Sequence, residues 1–329
     1  MQLVEQLTKL FCVNENTPLQ IISDPLLNEY EIKLFIKRED LNHPNLSGNK
    51  WHKLKYNLVE ALDKNYDTIL TFGGAYSNHI YAVAAAGKVL NLKTIGIIRG
   101  EEHLPLNPTL KFANECGMEL QYIDRATYRN KTSKEFIQHL KNQFGRFYFI
   151  PEGGTNLLAF KGCSEIVKTV SVDYDYLCCA CGTGGTFAGL VTGIDGRKKA
   201  LAFSVLKGAD FLAEDISSYL KKFSGKKYSN WTLILVYHFG GYAKYNYELL
   251  TFMKNLSRVN NIPVEPIYTG KLLFGILDMI RKKKVKRGDT IVAIHTGGLQ
   301  GLNGFTMKND FEYLSDDFVV NCNNFEQFN

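Results

Sequence analysis

The chain predicts an α/β fold of two domains, each a mainly parallel twisted sheet flanked by helices. Three observations carry that prediction. Short apolar runs alternate with amphipathic segments from about residue 67 onward, the pattern of βαβ units. The alternation restarts near residue 160, which gives two series. Four glycine-rich loops, "GGAYSN", "PEGGTN", "GTGGT" and "HTGG", fall at predicted strand ends, the edge at which parallel sheets receive ligands. A length of 329 residues also favours two domains or one large α/β unit over a single small core.

In the first series "DTILTF" (67–72) reads as a strand, and "HIYAVAAAGKVLN" (79–91) as an alanine-rich helix. "KTIGIIRG" continues as a strand. "NPTLKFANECG" is a helix with Asn107 as its cap, Pro108 in the first turn and Gly117 past its end. "ELQYID", "SKEFIQHLKNQF" and "RFYFIPEGG" continue as strand, helix and strand, and "TNLLAFKGCSEIVKTV" reads as a helix. The second series holds the strands "YDYLCCAC", "ALAFSVLKG", "NWTLILVYHF" and "DTIVAIHTGG". Its helices are "FAGLVTGI", "DFLAEDISSYLKKF", "YELLTFMKNLSRVN" and "KLLFGILDMIRKKK". The residues before 50 fit either domain.

Composition narrows the function classes. A 45% hydrophobic and 22% charged chain is that of a globular protein with a sizeable core. No apolar window reaches bilayer-spanning length. The first residues carry Glu5 and Glu15 and lack a basic segment followed by an apolar run, so a cytoplasmic protein is expected. Seven scattered cysteines make no disulfide framework. Cys178, Cys179 and Cys181 lie in an apolar run with no second Cys/His pair at finger-like spacing; buried thiols are expected there, and no metal. The net charge is +6, and its densest run, "RKKKVKR" (281–287), comes after a helix whose macrodipole favours cations. A solvated surface run is expected, without nucleic-acid binding.

The sharpest loop is "CACGTGGTFAGL". A strand ends at Cys181, Gly182 to Thr186 turn, and a helix begins. Free N–H groups at that helix start, with the Thr183 and Thr186 hydroxyls, suit a phosphate. No Gly-Lys-Ser/Thr comes after it, so it is no Walker loop. Position 187 is Phe, which departs from the dinucleotide pattern. A single phosphate on a cofactor or metabolite is the reading that fits.

Upstream, "LSGNKWHKLKY" (46–56) places Lys50 directly after a Gly-Asn turn. On a helix starting there, Lys50 and Lys53 share a face, while Trp51, Leu54, Leu58 and Ala61 form the docking stripe. An amine nucleophile must shed its proton, which burial and a neighbouring cation promote. Lys53 is placed to supply that charge or to meet a phosphate. Two solvated lysines are the ordinary alternative, and Lys55 reads as a surface charge.

"SGNKWHKLKYNL", "GGAYSNHIYAVAAAG", "PEGGTN", "CGTGGTFAGL", "PIYTGK" and "IHTGG" together resemble the 1-aminocyclopropane-1-carboxylate deaminase and D-cysteine desulfhydrase family. This is a branch of the pyridoxal-phosphate enzymes with the tryptophan synthase β-like fold, also called fold type II. The resemblance covers about residues 35 to 305. It implies a larger domain of residues 1–51 and 160–329, a smaller one of 52–159 inserted within it, and pyridoxal 5'-phosphate in the cleft between them. By the family's Gly-Asn-Lys motif, Lys50 forms the Schiff base with the cofactor aldehyde. Lys53 and the loop Gly182, Thr183, Gly184, Gly185 and Thr186 then take the phosphate, Asn78 bonds the ring hydroxyl, and Thr296 faces the ring nitrogen. Ser77, Asn78, His79, Tyr268 and Thr269 are the implied substrate contacts. Lys50, Ser77 and Tyr268 form the implied catalytic set.

Deaminases of the family carry Tyr-Glu-Gly and His-Leu-Gly-Gly where this chain has Tyr268-Thr269-Gly270 and His295-Thr296-Gly297-Gly298. A hydroxyl at the ring nitrogen makes a neutral hydrogen bond, which suits a substrate with a good leaving group. The implied reaction is therefore α,β-elimination from a D-amino acid such as D-cysteine, giving pyruvate, ammonia and the β-leaving group. Cyclopropane ring opening and racemisation are the alternatives. Tyr76, where the family often has Gln, reshapes the substrate pocket. A homodimer acting on a small amino acid, away from membranes, completes the expectation.

Overall fold

A computed structural model describes Leu7 and residues 16–302. Its ten strands form two sheets. The larger combines β1 (Leu19–Ile21), β2 (Lys33–Lys37), β7 (Tyr176–Cys181), β8 (Lys199–Ser204), β9 (Trp231–Ile234) and β10 (Thr290–Ile294), in the order β1-β2-β10-β7-β8-β9. The smaller combines β3 (Thr68–Gly74), β4 (Lys93–Arg99), β5 (Met118–Ile123) and β6 (Tyr148–Ile150), in the order β5-β4-β3-β6. All pairs are parallel except β1 with β2. The α/β class with mainly parallel sheets is as the alternation predicts.

The helices are α1 (Pro25–Glu29), α2 (Asn49–Asp63), α3 (Asn78–Leu90), α4 (Pro108–Glu115), α5 (Arg125–Arg129) and α6 (Lys134–Phe144). α7 (Leu157–Glu165), α8 (Gly185–Ile194), α9 (Leu212–Ser224), α10 (Tyr247–Asn260) and α11 (Thr269–Arg281) complete the set. Asn107 caps α4 through its side chain, with Pro108 as first residue. No helix among the described residues is long and apolar enough to cross a membrane.

The inner strands β3, β7 and β10 are covered on both faces, so they are buried almost end to end rather than alternating. In β3, Ile69 packs under α2, α3 and α4, while Leu70 and Phe72 face the side closed by α5 and α6. In β7, Cys178 and Ala180 join the α10–α11 core, and Leu177, Cys179 and Cys181 join the α7–α8 core. The run "LCCAC" thus supplies small apolar side chains to two opposed cores. All three thiols are free and buried.

One feature left open by the residue pattern is fixed by the structure, and one expectation fails. The residues before 50 supply two strands of the larger sheet, β2 pairing parallel to β10 and β1 closing the edge. The predicted strand "NWTLILVYHF" ends at Ile234; beyond it the chain enters a loop with Phe239 at φ +52°.

The link between the sheets is α2. Its stripe of Trp51, Leu54, Leu58 and Ala61 is buried in the smaller sheet's core. Its other side meets α7 so closely that a Cβ on Gly162 would fall 1.9 Å from the His52 carbonyl. Lys55 is not a plain surface charge, because its ammonium pairs with Glu165 of α7 at 3.0 Å.

Candidate active site

A cleft of about 840 Å³ opens between the facing carboxyl ends of the two sheets. Lys50, Lys53, Ser77, Asn78, His79, Gly182 to Thr186, Tyr268 and Thr296 all line it. Residues distant in sequence are brought together by the strand ends that carry them.

Lys50 is the second residue of α2. The turn before it is held from two sides. Asn42 brackets Gly48, accepting from its N–H at 3.0 Å and donating to its carbonyl at 3.1 Å. Gly48 has φ +71°, and a Cβ there would lie 2.0 Å from the Thr296 carbonyl. Only glycine allows that conformation and approach together. The Asn49 N–H donates to the same carbonyl at 3.2 Å, which joins the start of α2 to the loop after β10.

The Asn49 side chain then links amine to loop. Its Oδ1 accepts from Lys50 Nζ at 3.1 Å, and its Nδ2 donates to Thr186 Oγ1 at 2.8 Å. Burial first, and then the charge of Lys53, push the Lys50 amine down to about 7. A large share of it is therefore the free base near neutral pH, as a nucleophilic or proton-accepting amine requires. Lys53 is itself buried, donating to the Gly153 carbonyl at 2.8 Å and to Thr155 Oγ1 at 3.3 Å.

The start of α8 is built to receive an anion. Gly184 occupies the cap position at φ +79° with no side chain capping the first N–H groups. Thr183, bonded to Thr155 at 2.9 Å, and Thr186 stand beside them. A Cβ on Gly185 would meet the Thr155 side chain at 2.9 Å and Lys53 Nζ at 3.2 Å. The loop is a cradle that any larger side chain would fill. By contrast α3 is capped by its own Ser77, whose Oγ accepts from the N–H groups of His79 and Ile80 at 3.2 and 3.3 Å.

Asn78 is held by Gln300 Nε2 at 2.9 Å. The ring of His79 is buried rather than free in the cleft. Thr71 Oγ1 donates to the Ile150 carbonyl, so it accepts from His79 Nε2–H at 2.8 Å. Burial, with the charges of Lys50 and Lys53, holds this imidazole well below its usual range and neutral. Its Nδ1 has no protein partner among the described residues.

Tyr268 ends the loop before α11, its ring against Gly182, where a Cβ would come within 3.3 Å of it. Behind it, Glu265 accepts from the N–H groups of Ile267, Tyr268 and Thr269 at 2.7 to 3.1 Å. Thr269 is fully buried and outside the cleft lining. It does not make the expected substrate contact: its N–H is engaged by Glu265 and its hydroxyl faces protein. Sequence alone does not single out Tyr242, whose ring stands edge-on to that of Tyr268 with centroids 6.1 Å apart, nor Arg99, Arg125 and Glu152 at the mouth. Each stands alone in sequence; only the shared position at strand and loop ends unites them.

An amine tuned near neutrality, tied through one asparagine to an uncapped, threonine-lined helix start, defines an enzyme that holds a phosphorylated aldehyde cofactor on a lysine. The residues present fit that group: the cradle admits a phosphate, and Lys50 faces the same cleft. Residues 13–297 match the family described as pyridoxal-phosphate dependent enzyme. The chain belongs to that family, and within it to the 1-aminocyclopropane-1-carboxylate deaminase and D-cysteine desulfhydrase group. A Pyrococcus horikoshii protein, provisionally named a 1-aminocyclopropane-1-carboxylate deaminase, is 30% identical over 87% of this chain and 90% of its own. A mitochondrial Arabidopsis thaliana protein, named a bifunctional D-cysteine desulfhydrase and 1-aminocyclopropane-1-carboxylate deaminase, is 32% identical over 82% of this chain and 73% of its own. The crystal structure of a 1-aminocyclopropane-1-carboxylate deaminase homologue superposes with a TM-score of 0.80 at 28% identity, covering 92% of this chain and 98% of that one. The protein is thus a pyridoxal-phosphate dependent enzyme.

Proposed function

We propose that the protein eliminates the β-substituent of a D-amino acid such as D-cysteine and that water then releases the nitrogen, giving pyruvate, ammonia and the leaving group. The observation that carries this reading is the acid–base character of the cleft. Thr296 is the side chain that the end of β10 presents to the cleft, and the one carboxylate among the described lining residues is Glu152, on the opposite wall. Glu265 lies near but is occupied by three backbone donors. A ring nitrogen here meets a hydroxyl and a neutral hydrogen bond, which suits a good leaving group.

In this reading the α8 N–H groups, Thr183, Thr186 and Lys53 bind the phosphate, Lys50 bonds the aldehyde, and Asn78 meets the ring hydroxyl. The bound cofactor draws electrons from the substrate's α-carbon. Ser77 and the Asn78 N–H orient the substrate carboxylate at the start of α3, and the His79 N–H, which donates to Ser77 Oγ, holds that serine in place. Lys50 Nζ takes the α-proton, with Ser77 Oγ the competing acceptor, and Tyr268 closes the substrate position from the α11 side. Residues 1–51 and 160–329 act as the larger domain and 52–159 as the smaller. The enzyme works as a cytoplasmic homodimer.

Ring opening of 1-aminocyclopropane-1-carboxylate is the second reading, favoured by the names of its relatives. Purified yellow protein, incubated with D- and L-amino acids and with the cyclopropane, decides between them by keto-acid assay. Pyruvate from a D-amino acid is expected. 2-Oxobutyrate from the cyclopropane would overturn the role given to Thr296.

A further inference from the structure

Lys271 is a buried cation that the chemistry above leaves unused. It lies in the first turn of α11, three residues after Tyr268, and is 1% exposed. Its ammonium donates to the carbonyls of His238 at 2.9 Å and Gly241 at 2.8 Å. Both carbonyls belong to the loop after β9, which carries Tyr242 into the cleft.

That loop does not hold its shape by ordinary backbone preference. Phe239, Gly240, Gly241 and Ala243 have φ of +52°, +94°, +124° and +54°. Phe239 and Ala243 incur a steric penalty there that glycine does not. Such a conformation persists only where its surroundings impose it. Here they do so along one face of α11. Residues 271, 274 and 278 are spaced three and four apart and so share that face. Lys271 clasps the turn, Phe274 packs against Phe239 with ring centroids 5.0 Å apart, and Asp278 accepts from the Tyr237 hydroxyl at 2.8 Å. The helix that begins just after Tyr268 therefore also shapes the loop bearing Tyr242. An apolar side chain would fill the space of Lys271 without burying a charge. What the lysine adds is a grip on two converging carbonyls.

We propose that Lys271 is a positioning residue, which holds the 238–241 turn so that the Tyr242 ring stays edge-on against the Tyr268 ring beside the substrate. The inference rests on the reading of Tyr268 given above. Lys271→Met, Lys271→Arg, Tyr242→Ala and the double variant Lys271→Met/Tyr242→Ala test it in the holoenzyme, with whichever amino acid the wild type consumes. Lys271→Met is expected to lower kcat about tenfold, with KM and the visible cofactor absorbance within about twofold of wild type. Lys271→Arg should recover at least about half the loss. Adding Tyr242→Ala to Lys271→Met should cost less than about twofold more, because both act through one ring. Amide exchange in residues 236–246 should quicken about tenfold in Lys271→Met.

Wild-type kcat in Lys271→Met, losses that multiply in the double variant, or unchanged exchange would each sink the clasp. If Lys271→Met does not fold, Lys271→Arg and Gly241→Ala carry the test, the latter straining the clasped turn at φ +124°. Gly241→Ala is then expected to show the same selective fall in kcat, and wild-type turnover in it overturns the proposal. If the wild type consumes nothing in the panel, the proposed function fails, while hydrogen exchange still reads the clasp.

Discussion

The two walls of the cleft are built differently. The wall from the larger sheet is closely bonded. Thr296 is locked to Gly48 and Asn49, Thr186 to Asn49, Tyr268 to Glu265, and Lys53 to Gly153 and Thr155 across the cleft floor. The wall from the smaller sheet presents exposed side chains, among them Tyr76 at 44% exposure and Arg99 and Arg125. Neither arginine has an ion pair among the described residues. A rigid wall suits a permanent occupant whose geometry must not vary, and an open one suits a substrate that must enter and leave. The contrast teaches which substitutions should touch cofactor and which substrate.

The largest effect belongs at the junction of the walls. Lys50→Ala should abolish the visible absorbance of the lysine-bound cofactor and lower turnover by at least about a thousandfold; retention of the band at wild-type strength would sink the assignment. Next comes the rigid wall. Gly185→Ala pushes a methyl towards Thr155 and Lys53, and should weaken cofactor binding about tenfold or more in a fluorescence titration. Unchanged affinity would mean that the cradle yields.

The pH dependence stems from the Lys50 amine near 7. Reloading of cofactor-free protein should rise about tenfold per pH unit below that point and level off above it. Between about 7 and the usual 10.5, an unfolded lysine keeps its proton while the folded amine has lost it. The unfolded chain binds more protons there, so the cofactor-free protein should gain stability with rising pH across that window. Arg99→Ala, on the open wall, should raise KM about threefold with cofactor affinity unchanged; a matching loss of cofactor would erase the distinction between the walls. The smallest effect is away from both. Lys55→Ala should cost about 0.5 kcal/mol in urea unfolding, since its pairing with Glu165 is partly exposed.

Much of this is legible in sequence, for identifiable reasons. Strands covered on both faces appear as apolar runs, and Asn107-Pro108 marks a helix start that the structure keeps. Lys50 and the 182–186 loop lie in compact motifs, each on one short turn. The edge strands escape because β1 has three residues, with Ile21 exposed, and so carries little pattern. The "LVYHF" segment is apolar enough to read as strand. Its positive-φ backbone depends on Lys271, Phe274 and Asp278, which lie more than thirty residues downstream. Thr269 shows the opposite limit, because a residue beside Tyr268 in sequence need not face the same way in space. Tyr242 and Arg99 lie on separate elements, and only folding makes them neighbours of the cleft.

The close approaches at Gly48 and Gly162 join the two halves of the molecule through one helix. One fixes the start of α2 to the loop after β10, the other its first turn to α7, whereas the apolar stripe of α2 belongs to the smaller sheet. The helix is thus an axle shared by both halves. Its Lys50 end is keyed to the 182–186 loop by Asn49. The span from Lys50 to Thr186 is set by that single side chain, bonded at both ends. One asparagine thus works as a ruler between the amine and the 182–186 loop.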